Sequence, residues 1–190
     1  MVLFHLLMLG VALFQMLFML IQWAVFRRRE YFFYIAYILS ASLCILFRVN
    51  EATGLLGINF PHWVNEIMSQ PMAICSYWMY VLFGRYFLNT PKLQPKVYKL
   101  SRKLEIMFAA FIIFKCISIP FNLSYQTSAI IYLACVLIMA IFAIPMFVLM
   151  LKQKNMLNNF LVVGSLLYVA GGIIGVVMGI FFQSDGDEKH

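Results

Sequence analysis

Residues 2–26 read VLFHLLMLGVALFQMLFMLIQWAVF, and Arg27, Arg28 and Arg29 follow without a spacer. Only His5, Gln15 and Gln22 interrupt the apolar run. As an α-helix this stretch rises about 37 Å, enough to cross the roughly 30 Å of hydrocarbon in a bilayer. A secretory signal carries positive charge before its apolar core and small residues after it. Here the order is reversed, so the reading is a retained helix. Three arginines at its end mark the cytoplasmic side of a membrane.

Working outward, five further runs of comparable character occupy residues 31–47, 71–88, 104–119, 128–151 and 156–182. The second is minimal, and its Tyr31, Tyr34 and Tyr37 lie toward the arginine end. Composition agrees: 64% of the 190 residues are hydrophobic, 11% are charged, and mean hydropathy is +0.92. A soluble domain carries about 25% charged residues, and this chain could not cover a water-facing surface. Backbone groups in lipid must pair within the protein, and no ten-residue alternation points to a barrel. The expected fold is all-α: one polytopic transmembrane bundle over residues 1–190 with about six spanning helices.

Orientation follows from the basic residues. The first, third and fifth connections hold 11 of the 14 lysines and arginines, the opposite side has Arg48 and Lys189, and Lys115 lies within a run. This split places the odd connections in the cytoplasm and the N-terminus outside. The net charge of +7 therefore reads as topology control, with membrane lipids as partners and no role for nucleic acid. Six spans that start outside also finish outside, in agreement with Asp185, Asp187 and Glu188 near the end. A short outer tail gives no cytoplasmic output, which favours a chain cut before a seventh helix.

Two connections have character of their own. Residues 48–70 contain Gly54, Gly57, Pro61, His62 and Trp63, and read as a long outer loop with a short interfacial segment. In the third connection Pro91 is a stop. From Gln94 a basic amphipathic helix is expected, Val97, Leu100 and Leu104 on one face and Lys96, Lys99 and Lys103 on another. It is expected to lie along the anionic leaflet before turning into the fourth span.

Several residues invite a functional reading. Gly171, Gly175 and Gly179 share a helix face and form a groove for close helix packing, within the chain or against a second copy. Lys115 stands near the outer end of the fourth run. The bland expectation is that its stem snorkels to the headgroups; the sharper ones are pairing with Glu51 or Glu66, or a ligand or ion role. Arg48, Glu51, His62 and Glu66 are the other candidate sensing or ion-pair residues of the outer side, and His5 and His62 admit a weak pH-sensing reading. Pro145 should kink the fifth span, as a hinge or a plain bend.

No motif for nucleotide, zinc or nucleophilic chemistry occurs, and no cofactor or metal site is expected. Cys44, Cys75, Cys116 and Cys135 sit in apolar runs at unrelated spacings, as small hydrophobes. Glu30, Glu51, Glu66 and Glu105 are all read at helix ends or in loops, with none buried. An ion-coupled transporter usually buries carboxylates near the midplane, which disfavours a small transporter or channel. A lipid-active enzyme would need polar residues converging at one leaflet, and turnover lost on changing His62 or Glu66 would favour it.

Two junctions carry a resemblance. Gly10 in an apolar helix followed by Phe26–Arg27–Arg28–Arg29–Glu30–Tyr31–Phe32–Phe33–Tyr34 resembles the "R-x-[YE]-L-x-Y" junction of the bacterial seven-transmembrane receptors with diverse intracellular signalling modules. Phe83–Gly84–Arg85–Tyr86–Phe87–Leu88–Asn89–Thr90, then Pro91, is similar to that family's "R-x-F-L-x-T … P" exit into a basic helix. With Gln22–Trp23 and Glu30 before Tyr31, the style is similar to members from Bacteroidota. The resemblance implies a sensory bundle in the bacterial inner membrane. It further implies an extracellular ligand or sensor module and a cytoplasmic kinase, cyclase or DNA-binding output, as in two-component systems. Neither a preceding module nor a seventh helix is read within these 190 residues, and both departures are what a fragment is expected to show.

Overall fold

A computed structural model of the protein describes residues 2–54, 57–118, 125–152, 156–159 and 161–166. These residues are helical or in short connections, with no strand among them. The order is α1 (Val2–Phe26), α2 (Arg29–Thr53), α3 (His62–Phe87), the single turn α4 (Thr90–Leu93), α5 (Pro95–Ser118) and α6 (Tyr125–Leu151), after which helical backbone recurs at 156–159 and 161–166. Among the described residues, three helical stretches are long and apolar enough to cross a membrane, Leu9–Phe26, Arg29–Glu51 and Ile130–Leu151. α3 and α5 have the length, but Ser, Tyr and Trp dilute the first and lysines the second.

The chain divides into two units, Met1–Met146 and Phe147–His190, the division falling just after Pro145, which lies inside α6. In the first unit the most extensive pairing is α2 with α3, followed by α1 with α2 and α3 with α5. Pairs such as Tyr34–Phe83 and Tyr37–Tyr80 fix α2 and α3 as antiparallel neighbours. α3 is thus central, touching α2 and α5, and it buries Ile74, Ser76 and Leu82. Burial on α5 follows a single seam, Val97, Ser101, Leu104, Phe108, Phe111, Lys115 and Ser118. Steps of four and three keep that line facing one neighbour along its length. In the second unit Asn158 is fully buried and donates from Nδ2 to the Met150 carbonyl at 3.2 Å.

Three expectations need correction. Residues 48–70 are not a long outer loop: α2 runs on to Thr53, α3 starts at His62, and only 54–61 connects them. Asn50, Glu51, Asn65 and Glu66 are polar, but a helix pairs its own backbone and does not stop where apolar residues stop. The expected interfacial segment with its turn into the fourth span is absent as well, because 95–118 is one continuous helix opened by Pro95. Val97 and Leu104 are buried, while Lys96, Lys99 and Lys103 are exposed, so the two faces are as expected. The apolar one, however, meets protein on α3 and α4. Finally, Glu105 is neither at a helix end nor exposed; it is 5% exposed within α5. The groove of Gly171, Gly175 and Gly179 and the acidic tail lie outside the described residues.

Candidate functional site

The end of the first unit that gathers the basic connections, called the basic end below, is built from two tight junctions. At the first, α1 ends at Phe26 and α2 starts at Arg29. Arg27 takes the left-handed conformation, φ 52°, and donates its N–H to the Trp23 carbonyl at 2.8 Å. For a non-glycine residue that conformation costs about 1–2 kcal/mol. Its guanidinium lies 5.3 Å from the centre of the Trp23 ring, a cation–π contact that partly offsets the cost. Phe26–Tyr31 and Trp23–Phe32 ring pairs and the Gln15 Nε2 to Tyr34 hydroxyl bond, 2.9 Å, then hold α1 along α2.

The second junction is the exit of α3. Asn89, with φ 48°, turns the chain in the left-handed region, which asparagine tolerates better than most residues. Thr90, 2% exposed, starts α4 and donates from Oγ1 to the Arg85 carbonyl at 3.4 Å; the Gln94 N–H returns to the Thr90 carbonyl at 2.9 Å. Pro91 in the first turn of α4 and Pro95 at the start of α5 stand where a helix needs no proline N–H. Leu88 is buried and Phe87 stacks on Phe83 at 5.3 Å. Each residue of the Arg85–Phe87–Leu88–Thr90–Pro91 pattern thus has a geometric task in one sharp turn.

That turn presents Arg85 to α5. Its Nη1 meets Glu105 Oε1 at 2.5 Å, and Arg102 Nη1 meets Glu105 Oε2 at 3.1 Å. The side chains of Arg85 and Glu105 are 10% and 6% exposed, whereas that of Arg102 is 56% exposed. The Arg85 guanidinium also lies 5.1 Å from the Tyr86 ring centre and 5.7 Å from that of Tyr98. A buried carboxylate is tolerable only when its charge is met and its lone pairs are used. Glu105 satisfies both conditions with two arginines. The result is an ion-pair clamp between α3 and α5, continued into α2 by the Phe33–Tyr86 stack at 5.0 Å. Reading the sequence residue by residue misses it, because Arg85 and Glu105 are twenty apart and only the turn at 89–94 brings them together.

At the far end, the Gly54–Pro61 connection is pinned rather than loose. Gly54, φ 64°, caps α2 with its N–H on the Asn50 carbonyl, and Gly57, φ 62°, donates to the Gly54 carbonyl. Buried Asn50 donates from Nδ2 to the Ile58 carbonyl at 3.1 Å, and Phe60 packs on Phe47 at 4.7 Å. A cleft of about 250 Å³ opens there, lined by Asn50, Glu51, Gly54, Ile58, Asn59, Phe60 and Asn65.

Among the sequence-derived candidates, Glu51 is exposed on this cleft and Arg48 is exposed one turn earlier, hydrogen-bonded to Cys44. Tyr77 is hydrogen-bonded to Tyr132, which ties α3 to α6. The side chains of His62 and Glu66 lie outside the described ones. Lys115 is 3% exposed on the buried seam of α5 and interacts electrostatically with Cys135 of α6. The expectation that it snorkels to the headgroups is overturned, because its position on the seam turns it into the protein. Among the described residues no group of three His, Cys, Asp or Glu side chains is placed to hold a metal.

No curated protein and no solved structure matches the chain. The family model described as "7TM diverse intracellular signalling" matches residues 2–185, the span that contains both junctions, the clamp and the pinned loop. The chain is a multi-pass membrane protein and belongs to that family of membrane signalling receptor regions.

Proposed function

We propose that the chain is the membrane-embedded sensory and signal-transducing region of a bacterial receptor in the cytoplasmic membrane. In this reading about six helices span the bilayer, the N-terminus is outside, and a conformational change passes to a cytoplasmic output module such as a two-component kinase. The observation that carries the reading is the family match over residues 2–185. The placement of 11 of the 14 basic residues supports the orientation. The pinned loop at 54–61 is then the outer element, open to an extracellular ligand or sensor module, and the Arg85–Glu105 clamp sits where α3 hands over to α5 on the inner side. A stimulus moves such a system only by binding one helix arrangement better than another. Catalysis within this chain is no part of the proposal.

The test is a fusion of the chain ahead of a histidine kinase core, with autophosphorylation measured in membrane vesicles. Breaking the clamp by Glu105→Ala should shift basal kinase activity severalfold, and Asn50→Ala, which removes the hydrogen bond from α2 to the outer loop, should shift it independently. Activity indifferent to both would sink the reading. A small transporter or channel predicts solute or ion flux in proteoliposomes instead. Buried Glu105 does not favour it, since two arginines already hold the carboxylate. A lipid-active enzyme predicts turnover lost on changing His62 or Glu66.

A further inference from the structure

The exposed face of α5 changes character along one line. Lys96, Lys99, Lys103, Ile106, Ala110, Ile113 and Ile117 follow one another in steps of three and four, and every one is exposed. Ile106, Ile113 and Ile117 are 65%, 59% and 62% exposed. The opposite side of the same helix is the buried seam from Val97 to Ser118, so the stripe faces away from α3 and α4. No lysine lies above residue 103 on this line and no apolar side chain below 106, so the switch from ammonium to hydrocarbon takes place within one turn.

An uninterrupted apolar stripe that no helix covers among the described residues of the first unit has lipid as its natural solvent. Continuing straight into it, a column of cations stands at headgroup level. Lys96 to Lys103 spans about 10 Å of rise, against roughly 5–7 Å for the headgroup layer on one side. A lysine stem bridges the difference, Lys103 reaching down and Lys96 up. We propose that Lys96, Lys99 and Lys103 form a docking surface for anionic phospholipid headgroups, with the acyl chains lying along Ile106, Ile113 and Ile117. A soluble acidic partner would match the lysines but leave the isoleucine half of the stripe unexplained. Arg102 is excluded from the surface because Glu105 holds it. The surface stands beside the clamp on the same helix, independently of what the receptor senses.

The probe is phosphatidylglycerol, offered with an equal amount of phosphatidylcholine to the full chain in nanodiscs. After transfer to a neutral detergent, the lipid retained per protein is counted by native mass spectrometry. The wild type should keep phosphatidylglycerol over phosphatidylcholine. Each neutralised lysine should lower that preference up to about fivefold, and Lys96→Gln/Lys99→Gln/Lys103→Gln together at least about tenfold. Lys152→Gln, just past the end of α6, should change nothing, and about 1 M salt should erase the wild-type preference. Retention of both lipids alike, or a preference untouched by the triple variant, overturns the proposal. Displacement of phosphatidylglycerol by a soluble polyglutamate peptide that binds more tightly overturns it too. If the triple variant loses helix content, the three single variants carry the same test.

Discussion

At the scale of single residues, Glu105 concentrates the cost and the specificity of the basic end. It is one buried carboxylate answered by one largely covered and one exposed arginine. The two partners are therefore unequal in what their removal leaves behind. Glu105→Ala strands the Arg85 charge in a poorly solvated place, which should cost about 3–5 kcal/mol. Arg85→Ala leaves Glu105 still paired with Arg102, so its cost should be distinctly smaller. Replacing both, as Arg85→Met with Glu105→Leu, should cost less than Glu105→Ala alone, because no unpaired charge remains. Unfolding free energies in bicelles, measured by steric trapping, order the three variants. Equal costs for the two single variants would show that the pair is not buried as described. None of this was legible from the chain, where Arg85 counts as one more topology charge and Glu105 as a helix-end acid. The missing signal was three-dimensional. Asn89, Thr90, Pro91 and Pro95 are turn residues, but the carboxylate such a turn delivers to an arginine twenty residues away is not encoded in either residue's neighbours.

At the scale of elements, hydropathy located the helices and misjudged their ends. α1 was legible to the residue, since apolar side chains fill it and arginines stop it. α2, α3 and α5 each extend past their apolar runs, because backbone pairing continues through polar residues that water or headgroups can solvate. The pairing of elements was less legible still. What joins α2 to α3 is an aromatic seam, in which Phe33, Tyr34 and Tyr37 meet Tyr86, Phe83 and Tyr80 with ring centres 5.0–5.2 Å apart. In sequence Tyr34 and Tyr37 read only as lying toward the arginine end of their run; in the fold they are packing surface. The hydrophobic effect does not drive helices together in lipid, so such contacts must come from dispersion and quadrupole geometry. A double-mutant cycle on Tyr34→Leu and Phe83→Leu should return a coupling of about 0.5–1.5 kcal/mol. A cycle on Tyr34 and Ile45, both on α2 but far apart, should return nearly none. Coupling no larger at the seam than in this control would mean that the rings are merely adjacent.

At the scale of the whole molecule, one lopsided distribution of charge has to be reconciled with two ends of different build. The basic end carries Arg27, Arg28 and Arg29 in one turn and Lys92, Lys96, Lys99 and Lys103 around the other; the far end carries Arg48 and a glycine-capped loop. If the positive-inside rule governs, the two ends lie in different compartments, and single cysteines in a background without native cysteines report which. Arg28→Cys and Lys99→Cys should resist a membrane-impermeant maleimide in intact cells and react in inverted vesicles. Asn59→Cys, exposed in the far-end loop, should do the opposite. Lys115→Cys should react from neither side, since it is buried on the α5 seam rather than reaching for the headgroups. The positions test different links. Labelling of Lys115→Cys alone would undo the burial and leave the orientation intact. Reversal at Lys99 and Asn59 together would turn the bundle over, moving the clamp outward and the pinned loop inward. The lipid-facing stripe on α5 would survive that reversal, because it depends on which side chains meet hydrocarbon and not on which compartment lies beyond it.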